Sequence, residues 1–167
     1  HTNIAEVSNI LNTTNGNKIA ICNANTLVRS ARNPYIADLI NNFTIKTADG
    51  FPVAKALSIL NKKRFERVDG YKVFLRTIEE GLDRNCSHYF FGSDEHTTKL
   101  MIKNLKKSYP EIQINGYICP DIMDSDQLLE KYLDEVKNIT ADIIWISLGF
   151  PKQEMFIDKV SKTVDIN

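Results

Sequence analysis

Ile143-Ile144-Trp145-Ile146-Ser147-Leu148 runs directly into Gly149-Phe150-Pro151-Lys152-Gln153-Glu154, and this junction decides the fold. A continuous β-branched and aromatic run predicts a strand buried on both faces, as in a parallel sheet. The Gly-Phe-Pro that ends it marks a turn at the strand's carboxyl edge, where open α/β sheets bind ligands. Pro151 fixes φ and has no N–H to lose, which suits the first turn of a following helix. Lys152, Gln153 and Glu154 then stand at that helix's positive end, where the chain can meet an anion. The plainer reading of the same residues is an ordinary strand-to-helix turn with a solvated Lys-Gln-Glu face.

Four more apolar runs precede this one: Lys18 to Cys22, Phe43 to Thr47, His88 to Gly92 and Ile112 to Tyr117. Between and around them lie helix-length amphipathic segments at 3–11, 25–31, 34–41, 51–60, 71–83, 95–108, 126–138 and 152–162. Strands alternating with helices predict βαβ units and a mainly parallel sheet covered by helices on both faces, an α/β fold. Ser93-Asp94 and Asp124-Ser125 are placed to cap two of the helices, and Asn15-Gly16 reads as a turn before the first strand. At the carboxyl end, 163–167 alternates apolar and polar residues like the opening of another strand and then stops. That pattern reads either as a chain cut short or as a terminus fraying after the last helix.

With 167 residues, 43% of them hydrophobic, the chain has enough apolar material for one well-formed core and is expected to be a single domain, with room for two lobes. Lys plus Arg and Asp plus Glu both number 21, so no net charge argues for nucleic acid, and any anion must be recognised locally. Cys22, Cys86 and Cys119 are odd in number and far apart, which suggests neither a disulfide framework nor a zinc site. A reducing cytoplasm is the expected setting. No apolar run approaches the roughly 20 residues of a membrane span, and no leader pattern opens the chain.

Several clusters could carry chemistry. Thr47-Ala48-Asp49-Gly50-Phe51-Pro52 again ends a strand before a helix, and a carboxylate there suits general-base work or a sugar hydroxyl. Alternatively, Asp49 is only a helix cap. Lys62-Lys63-Arg64-Phe65-Glu66-Arg67-Val68-Asp69-Gly70 concentrates four cations, of which Arg67 is the best placed to hold a diphosphate with its planar fork. Its plain reading is a solvated loop with Glu66 and Asp69 as local partners. Phe91-Gly92-Ser93-Asp94 is a strand-to-helix junction whose helix amino end can hold a phosphate, although neither GxGxxG nor GxxxxGK[ST] occurs in the chain. Asp124-Ser125-Asp126 has the spacing of a metal-binding DxD, but a helix start favours acidic residues in any case, so capping is preferred. His88 and His96 lack ligand spacing, and Cys22 reads as a small buried hydrophobe.

Taken in order, these pieces resemble the WecG/TagA/CpsF family of bacterial glycosyltransferases. The resemblance rests on Asn23, Asn33-Pro34, Ala48-Asp49-Gly50, Glu66-Arg67-Val68-Asp69-Gly70, Tyr89-Phe90-Phe91-Gly92, Tyr109-Pro110, Asn115-Gly116-Tyr117, and Asp142 with Leu148 through Glu154. It implies a Rossmann-like α/β enzyme that moves a hexose or N-acetylhexosamine from a UDP-sugar to a polyprenyl-diphosphate-linked acceptor, inverting the anomeric centre, in cell-wall, capsule or exopolysaccharide synthesis. It also implies Asp49 as general base, Asn23 and Gln153 lining the active site, Arg67 shaping the donor pocket, and no metal or other cofactor. Gly92 and Gly149, at the two strand-to-helix junctions, complete the expected substrate-binding set, with the helix amino ends nearby to steady the departing diphosphate. The implied setting is the inner face of the plasma membrane, reached through a carboxyl-terminal segment beyond residue 167. Self-association is compatible with the sequence. One departure stands out: the family commonly has Thr where this chain has Ile21, two residues before Asn23. That loss of a hydroxyl leaves room for a second reading, a nucleotide-sugar-binding module without catalysis.

Overall fold

A computed structural model of the chain describes residues 3–13 and 16–163. Asn15 of the expected turn and 164–167 of the expected terminal strand lie outside the described residues. The chain divides into two compact units, His1–Glu80 and Gly81–Asn167. The first carries α1 (Ile4–Thr13), β1 (Ile19–Cys22), α2 (Ala24–Arg32), α3 (Pro34–Asn41), β2 (Ile45–Ala48), α4 (Phe51–Asn61) and most of α5 (Gly70–Leu82). To the second belong β3 (Ser87–Gly92), α6 (Glu95–Ser108), β4 (Gln113–Ile118), α7 (Ser125–Lys137), β5 (Ile143–Ser147) and α8 (Lys152–Thr163). All five runs expected to be strands are strands, and the architecture is α/β with Rossmann-like alternation.

Every strand pairing is parallel, but the strands form two sheets, β1-β2 in one unit and β4-β3-β5 in the other. In the first unit Val7, Ile45, Val68 and Val73 form one buried cluster. A smaller one joins Ala48, Val53 and Ala54 beneath α4. The core of the second unit holds Phe91, Leu128, Val136, Phe156 and Val160, with the Phe91 and Phe156 rings stacked at 4.8 Å. Cys22 is buried, as a small hydrophobe should be.

Local chemistry sets the element ends. Asn23 caps α2, accepting from the Thr26 N–H, and Asn33 caps α3 ahead of Pro34. Asp94 caps α6, while Asp124 accepts from the Asp126 and Gln127 N–H groups and the Gln127 side chain returns the bond in a capping box. At the start of the second sheet, the Asp142 carboxylate accepts from the Ser87 hydroxyl at 2.6 Å and the Ser87 N–H at 2.8 Å, which holds its carboxyl below the usual range. This clamp joins β5 to β3. His88 is buried one residue on, and its Nδ1 accepts from the Trp145 indole N–H at 3.2 Å. The register between β3 and β4 slips after His88, and Gly116 makes room there: a Cβ on it would stand 2.7 Å from the Tyr89 ring.

Candidate active site

In the first unit, three expected site residues meet at one sheet edge. Cys22 pairs with Ala48 across the parallel strands, so Asn23 and Asp49 emerge side by side at the carboxyl ends of β1 and β2. The Asp49 N–H extends the ladder by donating to the Cys22 carbonyl at 2.9 Å. A further bond, from the Val68 N–H to the Ala48 carbonyl at 2.9 Å, brings the 67–69 segment alongside. Arg67 therefore reaches both neighbouring carboxylates. Its Nε lies 3.5 Å from Asp49 Oδ1 and its Nη2 2.7 Å from Asp69 Oδ2. Asp69 is itself fixed, since its Oδ1 accepts from the Tyr71 N–H at 3.0 Å in the first turn of α5.

This geometry decides between the two readings of Asp49. Asp49 does not cap α4: the cap position belongs to Gly50, which has φ of 99° and no side chain to contribute. The Asp49 carboxylate is left 26% exposed beside Arg67. Arg67 spans the two carboxylates of Asp49 and Asp69, with its own side chain 54% exposed. Asp69 is the residue whose importance the sequence understated, although the Arg-x-Asp spacing next to a helix start was its visible signal. The Arg64–Glu66 pair at 3.9 Å is exposed, as expected of a solvated loop. Ile21 lies against the start of α5, where a Cβ on Gly70 would come within 3.3 Å of its Cγ2. Ile21 thus serves as apolar packing.

Gly92, Gly149 and Gln153 gather in the second unit. Gly92 pairs with Ser147 at the carboxyl edge of β3 and β5, and the Ser93 N–H donates to the Ser147 carbonyl at 3.0 Å. A Cβ on Gly92 would stand 2.2 Å from that carbonyl oxygen, so only glycine permits the approach. Gly149 follows β5 and offers its carbonyl to the Gln153 N–H at 3.0 Å, closing the first turn of α8. The solvated Lys-Gln-Glu face is not formed. Lys152 Nζ donates to the Met123 carbonyl at 3.1 Å, Gln153 is half-buried, and Glu154 is only 2% exposed. Burial raises the Glu154 carboxyl, and the Gln153 amide, donating to Glu154 Oε1 at 2.9 Å, opposes that rise.

Asp124 and Asp126 are committed elsewhere. The first forms the α7 cap, and the second pairs with Lys159 of α8, whose ammonium also donates to Ser125 Oγ at 3.1 Å. Among the described residues, no three His, Cys, Asp or Glu side chains gather as a metal site, and no helix is long and apolar enough to cross a membrane.

Parallel strands alternating with helices, with polar side chains at the strands' carboxyl edges, define the Rossmann-like α/β class, and comparison with known proteins makes it specific. The chain belongs to the glycosyl transferase WecG/TagA/CpsF family, which it matches over residues 2–167. It is 25% identical over 128 residues to the N-acetylglucosaminyldiphosphoundecaprenol N-acetyl-beta-D-mannosaminyltransferase of Bacillus spizizenii strain W23, covering 77% of this chain and 48% of that protein. The Bacillus subtilis strain 168 protein of the same name is 22% identical over 120 residues, covering 72% and 45%. For that of Staphylococcus aureus strain NCTC 8325, identity is 27% over 123 residues, covering 72% and 46%. The chain spans about half the length of these curated relatives.

Proposed function

We propose that this chain is the core of an inverting glycosyltransferase that moves a hexose or N-acetylhexosamine, such as N-acetylmannosamine, from a UDP-sugar to a polyprenyl-diphosphate-linked sugar at the inner face of the plasma membrane. Family membership supports transfer of a sugar, and the relatives' names supply the lipid-linked acceptor. The observation that carries the reading is the Asp49 carboxylate, part-exposed at the carboxyl edge of β2 and held by Arg67 beside Asn23. Inversion needs one base to take the proton of the acceptor hydroxyl as that oxygen attacks the anomeric carbon. Asp49 is that base. Asn23 and Arg67 are assigned to the substrate pocket with it, and Gly92, Gly149 and Gln153 to the contacts of the second unit. The leaving UDP is steadied by helix amino ends and backbone N–H groups rather than by a metal, since both carboxylates of the DxD are engaged in a cap and an ion pair.

The test measures transfer from UDP-N-acetylmannosamine to undecaprenyl-diphosphate-linked N-acetylglucosamine in vesicles, with and without added chelator. Asp49→Asn is expected to lower turnover at least about 100-fold while leaving UDP affinity nearly unchanged. Unchanged turnover removes Asp49 as the base. Ile21, packed on Gly70 where the family offers a hydroxyl, favours a second reading in which the chain binds a nucleotide sugar without transferring it. UDP-sugar binding with no product from any lipid-linked acceptor selects that reading.

A further inference from the structure

Glu154 is the most deeply buried carboxylate among the described residues, and no cation pairs with it. Asp158, one turn along α8, is also buried but holds Lys162 at 2.6 Å. One Glu154 oxygen accepts from Gln153 Nε2, and the other, Oε2, is buried without a hydrogen-bond partner. A half-satisfied buried carboxylate is costly, and a neutral side chain of the same shape would fold more easily. The side chain that bonds it is the one assigned above to the substrate.

We propose that Glu154 is a positioning residue: it holds the Gln153 carboxamide with an N–H on the buried carboxylate and the carbonyl oxygen turned away from it. A carboxylate only accepts, so the opposite amide orientation would set two acceptors against each other. The carbonyl oxygen of Gln153 is thereby presented to a donor on the substrate, a sugar hydroxyl or an amide N–H, with the second carboxamide N–H beside it. The inference rests on the proposed role of Gln153 as a substrate contact. The neighbouring peptide geometry supports it, because the Gln153 N–H is already bonded to the Gly149 carbonyl and the side chain alone remains for recognition.

Solution NMR of the ligand-free chain at about pH 8, where carboxylates are ordinarily ionised, tests the orientation directly. Glu154→Gln and Glu154→Leu are compared with the unaltered chain. The Gln153 carboxamide protons are expected to be shifted and to exchange with water at least about 10-fold more slowly than those of an exposed glutamine; Glu154→Leu should return them to free-amide behaviour, whereas Glu154→Gln keeps an acceptor but no longer dictates which way the Gln153 amide points. UDP-sugar titration should then show about 10-fold weaker binding by Glu154→Gln, with a melting temperature at or above that of the unaltered chain. Carboxamide signals unaffected by Glu154→Leu overturn the proposal. So does a Glu154→Gln chain that melts lower yet binds as tightly, the result of a purely structural role. If the unaltered chain binds no UDP-sugar, the functional reading above fails, while the carboxamide signals still decide whether Glu154 holds Gln153.

Discussion

Arg67 and His88 show how single side chains in this fold trade charge for position. The Arg67 fork reaches Asp49 and Asp69 at once, which a lysine's single ammonium cannot copy with the same geometry. Arg67→Lys is therefore expected to lower turnover about 10-fold through loss of Asp49 orientation, while shifting unfolding free energy by less than about 1 kcal/mol, because the guanidinium is exposed and lysine keeps the charge. Steady-state kinetics beside urea denaturation separates the two effects. His88 presents the opposite case, a buried imidazole kept neutral. Burial lowers its pKa from 6.5 to about 4, and the Asp142 carboxylate opposes the shift without cancelling it. The folded state thus binds its proton less readily than the unfolded state. Stability from neutral His88 is complete above the unfolded pKa and is lost as pH falls from 6.5 toward 4. Between pH 7 and pH 5 that loss is about 2 kcal/mol. His88→Gln keeps an acceptor for the Trp145 indole and does not titrate, so its unfolding free energy should fall by correspondingly less over the same interval. Equal pH slopes for both chains would remove His88 as the cause.

At the scale of elements, the junctions after β3 and β5 differ in a way that substitution can read. Gly92 and Gly149 both have positive φ, of 121° and 77°, but a Cβ meets the Ser147 backbone at 2.2 Å in the first case and nothing within 4 Å in the second. Gly92→Ala must part the ends of β3 and β5 and is expected to cost about 3–4 kcal/mol, against about 1–2 kcal/mol of backbone strain for Gly149→Ala. Guanidinium denaturation of the two variants measures the gap, and equal costs would show that the close approach is not maintained. The elements themselves were legible in the sequence because continuous apolar runs, Pro at helix starts and Asp caps are local signals. Even the displaced start of β2 has a local reason: Phe43 is buried in the turn that closes α3, where its N–H bonds to the Ile40 carbonyl, and does not enter the strand. The contacts of the candidate site depend on distance through space, which spacing does not encode. Arg67 was recognisable as a positioned cation, but not its bridge between Asp49 and Asp69. The burial of Glu154 was hidden for a different reason: α8 buries Glu154 and Asp158 as well as Phe156 and Val160, so its polar residues do not mark a solvent face.

For the whole molecule, the decisive quantity is the absence of net charge, with 21 basic residues against 21 acidic ones. Such a chain has no broad field with which to attract a nucleotide, so any stabilisation by one must come from a built site. Ligand bound only by the folded state stabilises it by mass action, about 2.7 kcal/mol at a hundred times the dissociation constant. For a chain of this length, that corresponds to a rise in melting temperature of about 5–10 °C. The proposed donor pocket therefore predicts that UDP and UDP-sugars raise the melting temperature by this amount, whereas GDP, CDP and their sugars do not. Screening should matter little for a built site: raising salt to about 0.3 M shortens the reach of exposed charges but leaves short hydrogen bonds to a ligand in place. A shift common to all nucleoside diphosphates that vanishes with salt would mean that surface cations such as Lys62 and Lys63 bind phosphate without selection. A salt-resistant shift confined to uridine compounds, and reduced in Glu154→Gln, would tie nucleotide recognition to the buried carboxylate behind Gln153.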